Sequence, residues 1–362
     1  MNSNNGTNNP NNRNGGSGHA PMPVAFFGIA VGALALGGAW RAAARVWSIP
    51  DAVPELLTAA ALIVWLVVLV AYARKWLVAR DAAIAEMQHP VQSSFAALGP
   101  VSTMLVAQAV QAYSRELAVA LFAIGVASQL ALGAYLHGRF WQGGRKPELT
   151  TPAIYLPTVA PSFVAGTAAA ALGFTQIGAL FFGAGVFSWL AIESIVLHRA
   201  AVHEPLPEAL RPTLGIQLAP PVVGGVSYLA ITHGVPDLFA YMLLGYGMYQ
   251  ALTLTRLVPW IRQSAFTPSY WTVSFGAAAL PTMAIRMLER GATGPMQWIA
   301  PVAFVVANVV IGLLIAGTVR ALLQGKLLPA APVNVAPLVA PVVAISSGNV
   351  RPIERRAAAG TR

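Results

Sequence analysis

Apolar stretches of about 20 residues follow one another along this chain from residue 24 to residue 323. A hydrocarbon core about 30 Å thick is crossed by a helix of roughly that many apolar residues, whereas a single soluble core needs no such regular spacing. Composition agrees: 56% of the 362 residues are apolar and only 9% are charged, against about 25% charged in an ordinary soluble domain. The surface of such a chain suits lipid.

Ten spans are read at 24–40, 54–72, 94–111, 117–137, 152–173, 178–197, 213–232, 238–257, 270–288 and 298–323. Links within successive pairs are short, such as 174–177 between the fifth and sixth, which suits antiparallel helical hairpins. Residues 24–326 are therefore expected to form one all-α, ten-helix transmembrane domain. The tails, 1–23 and 327–362, are rich in Asn, Gly, Ala or Pro and read as disordered. Residues 1–20 lack the basic start and apolar run of a signal peptide, so the first span is expected to act as its own insertion signal.

The basic residues set an orientation. Seventeen of the 22 Lys and Arg residues fall on the side of the two tails; the other side holds Arg41, Arg45, Arg115, Arg286 and Arg290. Basic loops stay cytoplasmic, so both termini are expected inside. The formal charge of +10 does not indicate nucleic acid, because the basic residues lie between apolar spans and form no stripe interleaved with aromatics. Without cysteine there is no thiolate nucleophile and no sulfur-ligated metal, and the six histidines show no metal-binding spacing. No nucleophile, metal or phosphate-loop pattern of an enzyme is present, and no cofactor is expected. His89 and His233 at span ends read as solvated loop residues, and Trp40, Trp47, Trp141, Trp260, Trp271 and Trp298 as interfacial anchors.

Proline adds a second regularity. Pro100 falls in the third span, Pro157 and Pro161 in the fifth, Pro220 and Pro221 in the seventh and Pro281 in the ninth; the first has Gly28 and Gly32 instead. Pro301 is read in an opening turn of the tenth, where no bond is lost. Proline removes a backbone donor and bends a helix, which lipid tolerates only where neighbours or water satisfy the freed carbonyl. The recurrence at about 60 residues predicts five repeats of one bent and one straight helix, the bent ones around a polar cavity. Packing alone could also accommodate such kinks.

Several short segments, in this order and spacing, carry a family likeness: Phe95-Ala-Ala-Leu-Gly-Pro100 with Ser102-Thr103-Met104, Trp141-Gln-Gly-Gly144, Tyr155-Leu-Pro157, Leu180-Phe-Phe-Gly-Ala-Gly185, Leu218-Ala-Pro220, Arg256-Leu-Val-Pro-Trp260, Val273-Ser-Phe-Gly276 and Asn308-Val-Val-Ile-Gly312. Together they resemble the tellurite-resistance and dicarboxylate transporter family, which includes the slow-type anion channel of plant guard cells. The resemblance implies five helical hairpins around a central pore, odd-numbered helices innermost, in a homotrimer with three separate pores. It implies small anions as partners, of the chloride, nitrate, malate, sulfite or tellurite class, and a bacterial inner membrane as the location.

The same resemblance places Phe275 in the pore as its gate. A ring in a narrow apolar constriction blocks hydrated ions by steric exclusion and dewetting; without the resemblance, an intramembrane Phe is a packing or lipid-facing residue. Phe27, Gly28, Phe95, Pro100, Thr103, Pro157, Phe163 and Pro220 are the expected pore lining. The hydroxyls of Ser102, Thr103, Ser162, Thr167, Ser274 and Thr282 either face the pore or bond to their own helix. Glu193, a carboxylate inside the sixth span, needs a partner, and Arg256 at similar depth on the eighth is the expected one, as a structural ion pair. Two mechanisms stay open: a channel with passive anion flow, and a proton-linked secondary transporter or exporter of dicarboxylate, sulfite or tellurite-type oxyanions. The recurrence favours the former over a rocking pair of inverted halves.

Overall fold

The computed structural model describes residues 21–328, so nearly all of both tails lies outside the described residues. Among the described residues the chain is helical throughout, with no strand. Its α-helices are α1 (Phe27–Trp47), α2 (Ala52–Val78), α3 (Arg80–Gln88), α4 (Gln92–Phe95), α5 (Leu98–Val110), α6 (Arg115–Trp141), α7 (Val159–Ala171), α8 (Thr175–Val202), α9 (Ala219–Ile231), α10 (Leu238–Ile261), α11 (Ser274–Glu289) and α12 (Met296–Leu323).

Two kinds of helix alternate. α2, α6, α8 and α12 are unbroken runs of 27 or 28 residues, about 40 Å at 1.5 Å per residue, enough to cross a membrane at a tilt. α10 is likewise unbroken over 24 residues, whereas α1, α5, α7, α9 and α11 are broken near their start. A 3-10 turn at Val24–Phe26 leads into α1, α4 leads into α5, and 3-10 turns at Pro152–Tyr155, Glu208–Leu218 and Pro268–Val273 precede α7, α9 and α11. Burial separates the two kinds. The spans Val24–Trp47, Gln92–Val110, Pro152–Ala171 and Glu208–Ile231 are 61–89% buried, whereas Ala52–Val78, Arg115–Trp141, Thr175–Val202 and Met296–Leu323 are 17–28% buried. The first set is inner and the second is outer.

These eight are the spans long and apolar enough to cross a membrane among the described residues, against ten expected. The remaining two expected spans are helical as well. α10 is diluted by three tyrosines, Gln250, Thr253, Thr255 and Arg256, and α11 is only 16 residues long and carries Arg286 and Glu289.

Packing follows the alternation. Each inner helix lies against the outer helix that follows it: α1 on α2, α5 on α6, α7 on α8, α9 on α10 and α11 on α12. The inner helices also touch one another in a closed order, α1 with α5, α5 with α7, α7 with α9, α9 with α11, and α11 back with α1. Small residues permit the close approaches. At the α7/α8 crossing, a Cβ on Gly178 would lie 2.8 Å from the Gly166 carbonyl oxygen, and one on Gly185 would lie 2.7 Å from the Phe163 ring.

The prolines act differently from expectation. Pro100 and Pro161 are the third residues of α5 and α7, Pro220 and Pro221 are the second and third of α9, and Pro157 lies in the break before α7. In the first turn of a helix proline costs no hydrogen bond, so these residues restart a broken helix and do not bend a continuous one. Only Pro281, in α11, sits well inside an inner helix. Two outer helices extend beyond the expected spans and enclose a proline, Pro259 in α10 and Pro301 in α12, where it is the sixth residue and not in an opening turn.

Two polar devices hold the side of the bundle where α1 and α5 begin. Lys75 Nζ donates to Glu86 Oε2 at 2.8 Å and to the Met22 carbonyl at 3.2 Å, while Glu86 Oε1 accepts from Val24 N–H at 2.9 Å. The pair is buried, with side chains 4% and 10% exposed, and it fixes the segment leading into α1 against the α2/α3 corner. At the start of α4, His89 Nδ1 accepts from the backbone N–H groups of Val91 at 3.1 Å and Gln92 at 3.2 Å. Its loop position matches expectation; its role as a cap was not foreseen.

Two measurements follow from these contacts. Gly178→Val drives a branched side chain into the α7 backbone and is expected to lower stability in detergent by about 1–3 kcal/mol. Gly183→Val on the same helix, where a Cβ meets open space, serves as the near-neutral control in the same thermal unfolding assay. For His89, desolvation of the packed edge pushes the imidazole pKa down, the nearby Arg145 adds to that, and Glu86 opposes it. A folded-state value below the unfolded one means that the contribution is complete above about pH 6.5 and is lost as pH falls through the lowered value. Because the ring keeps an exposed edge, the effect is modest: wild type is expected to lose more stability on acidification through this window than His89→Asn, which keeps an acceptor that does not titrate.

Candidate pore and its constriction

The inner helices enclose a cavity of about 670 Å³. α11 presents Phe275, Ala279, Thr282 and Arg286 to it, at i, i+4, i+7 and i+11, which is one helical face. α1 presents Leu34, Gly38, Arg41 and Arg45 at the same spacing. α5 adds Leu105 and Gln108, α7 adds Val164 and Thr167, and α9 adds Val223 and Val226, so all five inner helices form its wall. The first two turns of α2, with Pro54, Glu55 and Thr58, line it too.

Toward the starts of the inner helices the space shrinks to a second cavity of about 30 Å³. Its wall takes residues from every one of the five breaks: Gly28, Phe95 with Leu98, Leu156 with Ala160, Ile216 with Ala219, and Thr272 with Phe275. Thr272 is the only hydroxyl or charged side chain among them. Phe275 is the single residue common to both walls and is half-buried. None of α1, α5, α7, α9 and α11 has a side-chain cap at its start; the first N–H groups of α1, α9 and α11 are bonded instead to carbonyls of the 3-10 turns that run directly into them.

Of the residues read as pore lining, Gly28 and Phe95 line the small cavity. The other six line neither cavity, and their contacts explain why. Phe27 is turned toward α2, where its ring meets Tyr72 edge-on at 5.4 Å. Phe163 is fully buried in the space left by Gly185 and Gly224 between α7, α8 and α9. Pro100 and Pro157 direct their carbonyls to α6, at Gly125 and at Gln129, whose Nε2 donates to the Pro157 oxygen at 2.5 Å. Thr103 donates to the Gly99 carbonyl, and Pro220 is buried in the opening turn of α9. Ser102, Thr167, Ser274 and Thr282 likewise bond to carbonyls three or four residues back; Thr167 and Thr282 do so while facing the large cavity.

Sequence reasoning missed the charged end of the large cavity. In the sequence Arg41, Arg45 and Arg286 count only as minority basic residues of one side, whereas the structure sets all three on inner helices, α1 and α11, in the cavity wall. Arg41 donates to Glu55 Oε2 at 3.2 Å and to the Ala109 carbonyl at 2.8 Å, and Tyr113 also donates to Glu55. Arg45 Nε is 2.6 Å from Glu289 Oε1. Two tryptophans read as interfacial anchors are internal instead: Trp271 is buried and donates to Thr318 at 2.8 Å, and Trp40 donates to Asn308 at 2.9 Å.

The structure does not bring Glu193 and Arg256 together. Glu193 Oε2 accepts from the Tyr155 hydroxyl at 2.5 Å and Trp189 Nε1 at 2.9 Å, and Oε1 accepts from the Tyr246 hydroxyl at 2.9 Å. Arg256 is exposed and belongs to none of the three ion pairs found among the described residues. Three neutral donors satisfy the carboxylate without the cost of desolvating a second charge.

Residues 21–319 match the family described as voltage-dependent anion channel, SLAC1. The chain belongs to this family. It is 35% identical over 307 residues to the tellurite resistance protein TehA homolog of Haemophilus influenzae, covering 84% of this chain and 92% of that protein. It is 20% identical over 277 residues to the S-type anion channel SLAH2 of Arabidopsis thaliana, covering 74% and 53%. An uncharacterized transporter of Methanocaldococcus jannaschii is 24% identical over 246 residues, covering 60% and 69%. As a family member the chain is a multi-span membrane protein of anion transport and not an enzyme.

The Glu193 geometry makes a direct prediction. Glu193→Ala leaves two phenols and an indole without an acceptor and is expected to lower stability by about 1–3 kcal/mol. Arg256→Ala is expected to stay within about 0.5 kcal/mol of wild type in the same detergent unfolding assay. Equal losses from the two variants would restore the ion pair.

Proposed function

We propose that the chain is a gated conduit for small anions, running between the five inner helices and closed by the Phe275 ring. The observation that carries this reading is the coincidence of three features at one level: the five helix breaks, the narrowing from about 670 to about 30 Å³, and the one side chain that borders both spaces. An apolar constriction of that size admits no hydrated ion, and rotation of one ring is the smallest change that would open it. The start of α7, which follows a non-helical interruption and has no side-chain cap, offers an anion a weak dipole there without a fixed charge to trap it.

In this reading α10 and α11 complete ten crossings, arranged as five hairpins whose inner members wall the path. Both termini are cytoplasmic, in keeping with the distribution of Lys and Arg, and the membrane is a bacterial inner membrane. Three subunits associate, each with its own path, as the family resemblance implies. A closed ring with one constriction favours a channel over an alternating-access carrier. Glu193, the carboxylate a proton-linked carrier would call on, lies on α8, outside the ring.

Voltage-clamp recording of wild type and Phe275→Ala tests the reading. Removing a steric barrier of at least about 1.4 kcal/mol raises conductance about tenfold or more, with currents reversing at the anion equilibrium potential. Unchanged currents at equal surface expression would remove Phe275 as the gate, and uptake that tracks the proton gradient would favour the carrier.

A further inference from the structure

We propose that Arg286 is a docking group for oxyanions in the large cavity, loading the path on one side of the Phe275 constriction. The inference rests on the conduit reading for its purpose but on separate contacts for its site.

Three guanidinium groups border this cavity, and two are already engaged. Arg41 is held by Glu55 and the Ala109 carbonyl, and Arg45 by Glu289 at 2.6 Å. Arg286 makes no side-chain hydrogen bond and no ion pair among the described residues, and its Nε is buried without an acceptor. The Nε of Arg41 is also unpartnered, but that group's terminal nitrogens are occupied. Arg290, one turn beyond, is turned to the Thr232 hydroxyl at 3.1 Å. Arg286 is therefore the one guanidinium of the cavity wall without a hydrogen-bonded or ion-paired partner among the described residues, with the carboxylates of Asp51 and Glu55 on the same wall; it lies on the same face of α11 as Phe275 and about 16 Å along the helix from it.

The buried Nε is closed to solvent, so the two terminal nitrogens are the donors left for an anion that enters the cavity, and a charge-assisted bond to them is a strong one. The planar fork of donors matches two oxygens on one edge of a carboxylate, nitrate or sulfite-type anion, which a spherical halide cannot bridge. Nearby Thr282 gives its hydroxyl proton to the Ala278 carbonyl, so the guanidinium is the donor that selects. The cavity reaches solvent, so the bound anion can leave; the site concentrates without trapping.

Nitrate and chloride are the probes. In a Phe275→Ala background, where current is expected to be measurable, Arg286→Gln should raise the nitrate concentration for half-maximal current about tenfold, the loss of one charge-assisted contact, and change the chloride dependence less. Arg286→Lys should keep the chloride behaviour and still lose the nitrate preference; an unchanged preference in that variant overturns the proposal. Purified protein supplies a second readout. Nitrate replacing chloride at constant ionic strength should raise the melting temperature of wild type and not that of Arg286→Gln or Arg286→Lys. Equal shifts in wild type and Arg286→Lys also overturn it. Nitrate stabilisation that depends on Arg286, together with no anion current in Phe275→Ala, would sink the gate reading and leave the docking site standing.

Discussion

In a hydrocarbon solvent a peptide group that leaves the helical ladder must find its partner inside the protein, and this requirement shapes the bundle at both levels where inner helices begin and end. At their beginnings, 3-10 turns keep the backbone bonded through the breaks, and Gln129 of α6 reaches the buried Pro157 carbonyl. At the ends of α5 and α7, free carbonyls are taken by side chains from the segments that precede them. Arg41 of α1 binds Ala109 of α5, Gln111 at the end of α5 binds Ala171 of α7, and Arg115, which opens the outer helix α6, binds Leu172 just past α7. The ring of inner helices is thus tied by backbone needs as well as by packing.

Putting the breaks at one level has a consequence for the space they enclose. A 3-10 turn has a different radius and side-chain phase from an α-helix, so residues that continue a lining stripe above the break cannot continue it below. Five such changes at one depth pinch the cavity there. Gly28, Ala160 and Ala219 leave a little room, while Phe95, Leu98, Leu156, Ile216 and Phe275 fill the remainder with apolar bulk. The outer helices need no such device, and their exposed leucines, valines and phenylalanines, among them Leu66, Leu180, Phe187 and Val305, suit lipid.

The alternation of inner and outer helices was legible because proline, glycine and breadth of apolar surface vary with a period longer than any one helix. The positions of the breaks were not. A 3-10 turn such as Pro268–Val273 and the helix that follows it have the same apolar character, so the proline at the restart of a helix reads as a kink in its middle. Phe275 was identified through family resemblance; its residue type alone does not distinguish it from Phe163, which fills a space that two distant glycines open. Lining residues in general escape a pattern search when a helix is buried on every side, since periodic polarity is the signal and these helices have little of it. Arg41, Arg45 and Arg286 did carry a signal, as charges spaced on the faces that turned out to line the cavity. Glu193 was assigned a cation by depth, whereas Tyr155, Trp189 and Tyr246 show that phenols and an indole suffice.

In the proposed conduit, separation of charge from constriction would permit both selection and release. A guanidinium at the level of Phe275 would sit in an apolar space of about 30 Å³, where weak screening would make its hold on an anion strong and its own desolvation costly. At the other end of α11 the same group borders the larger, solvent-connected cavity, where attraction is damped and exchange is possible. Between the two lies Pro281, which removes one bond from the ladder of α11 and leaves the Ala277 carbonyl without its helical donor. The helix that carries both the ring and the unpartnered guanidinium therefore lacks one rung of its ladder between them.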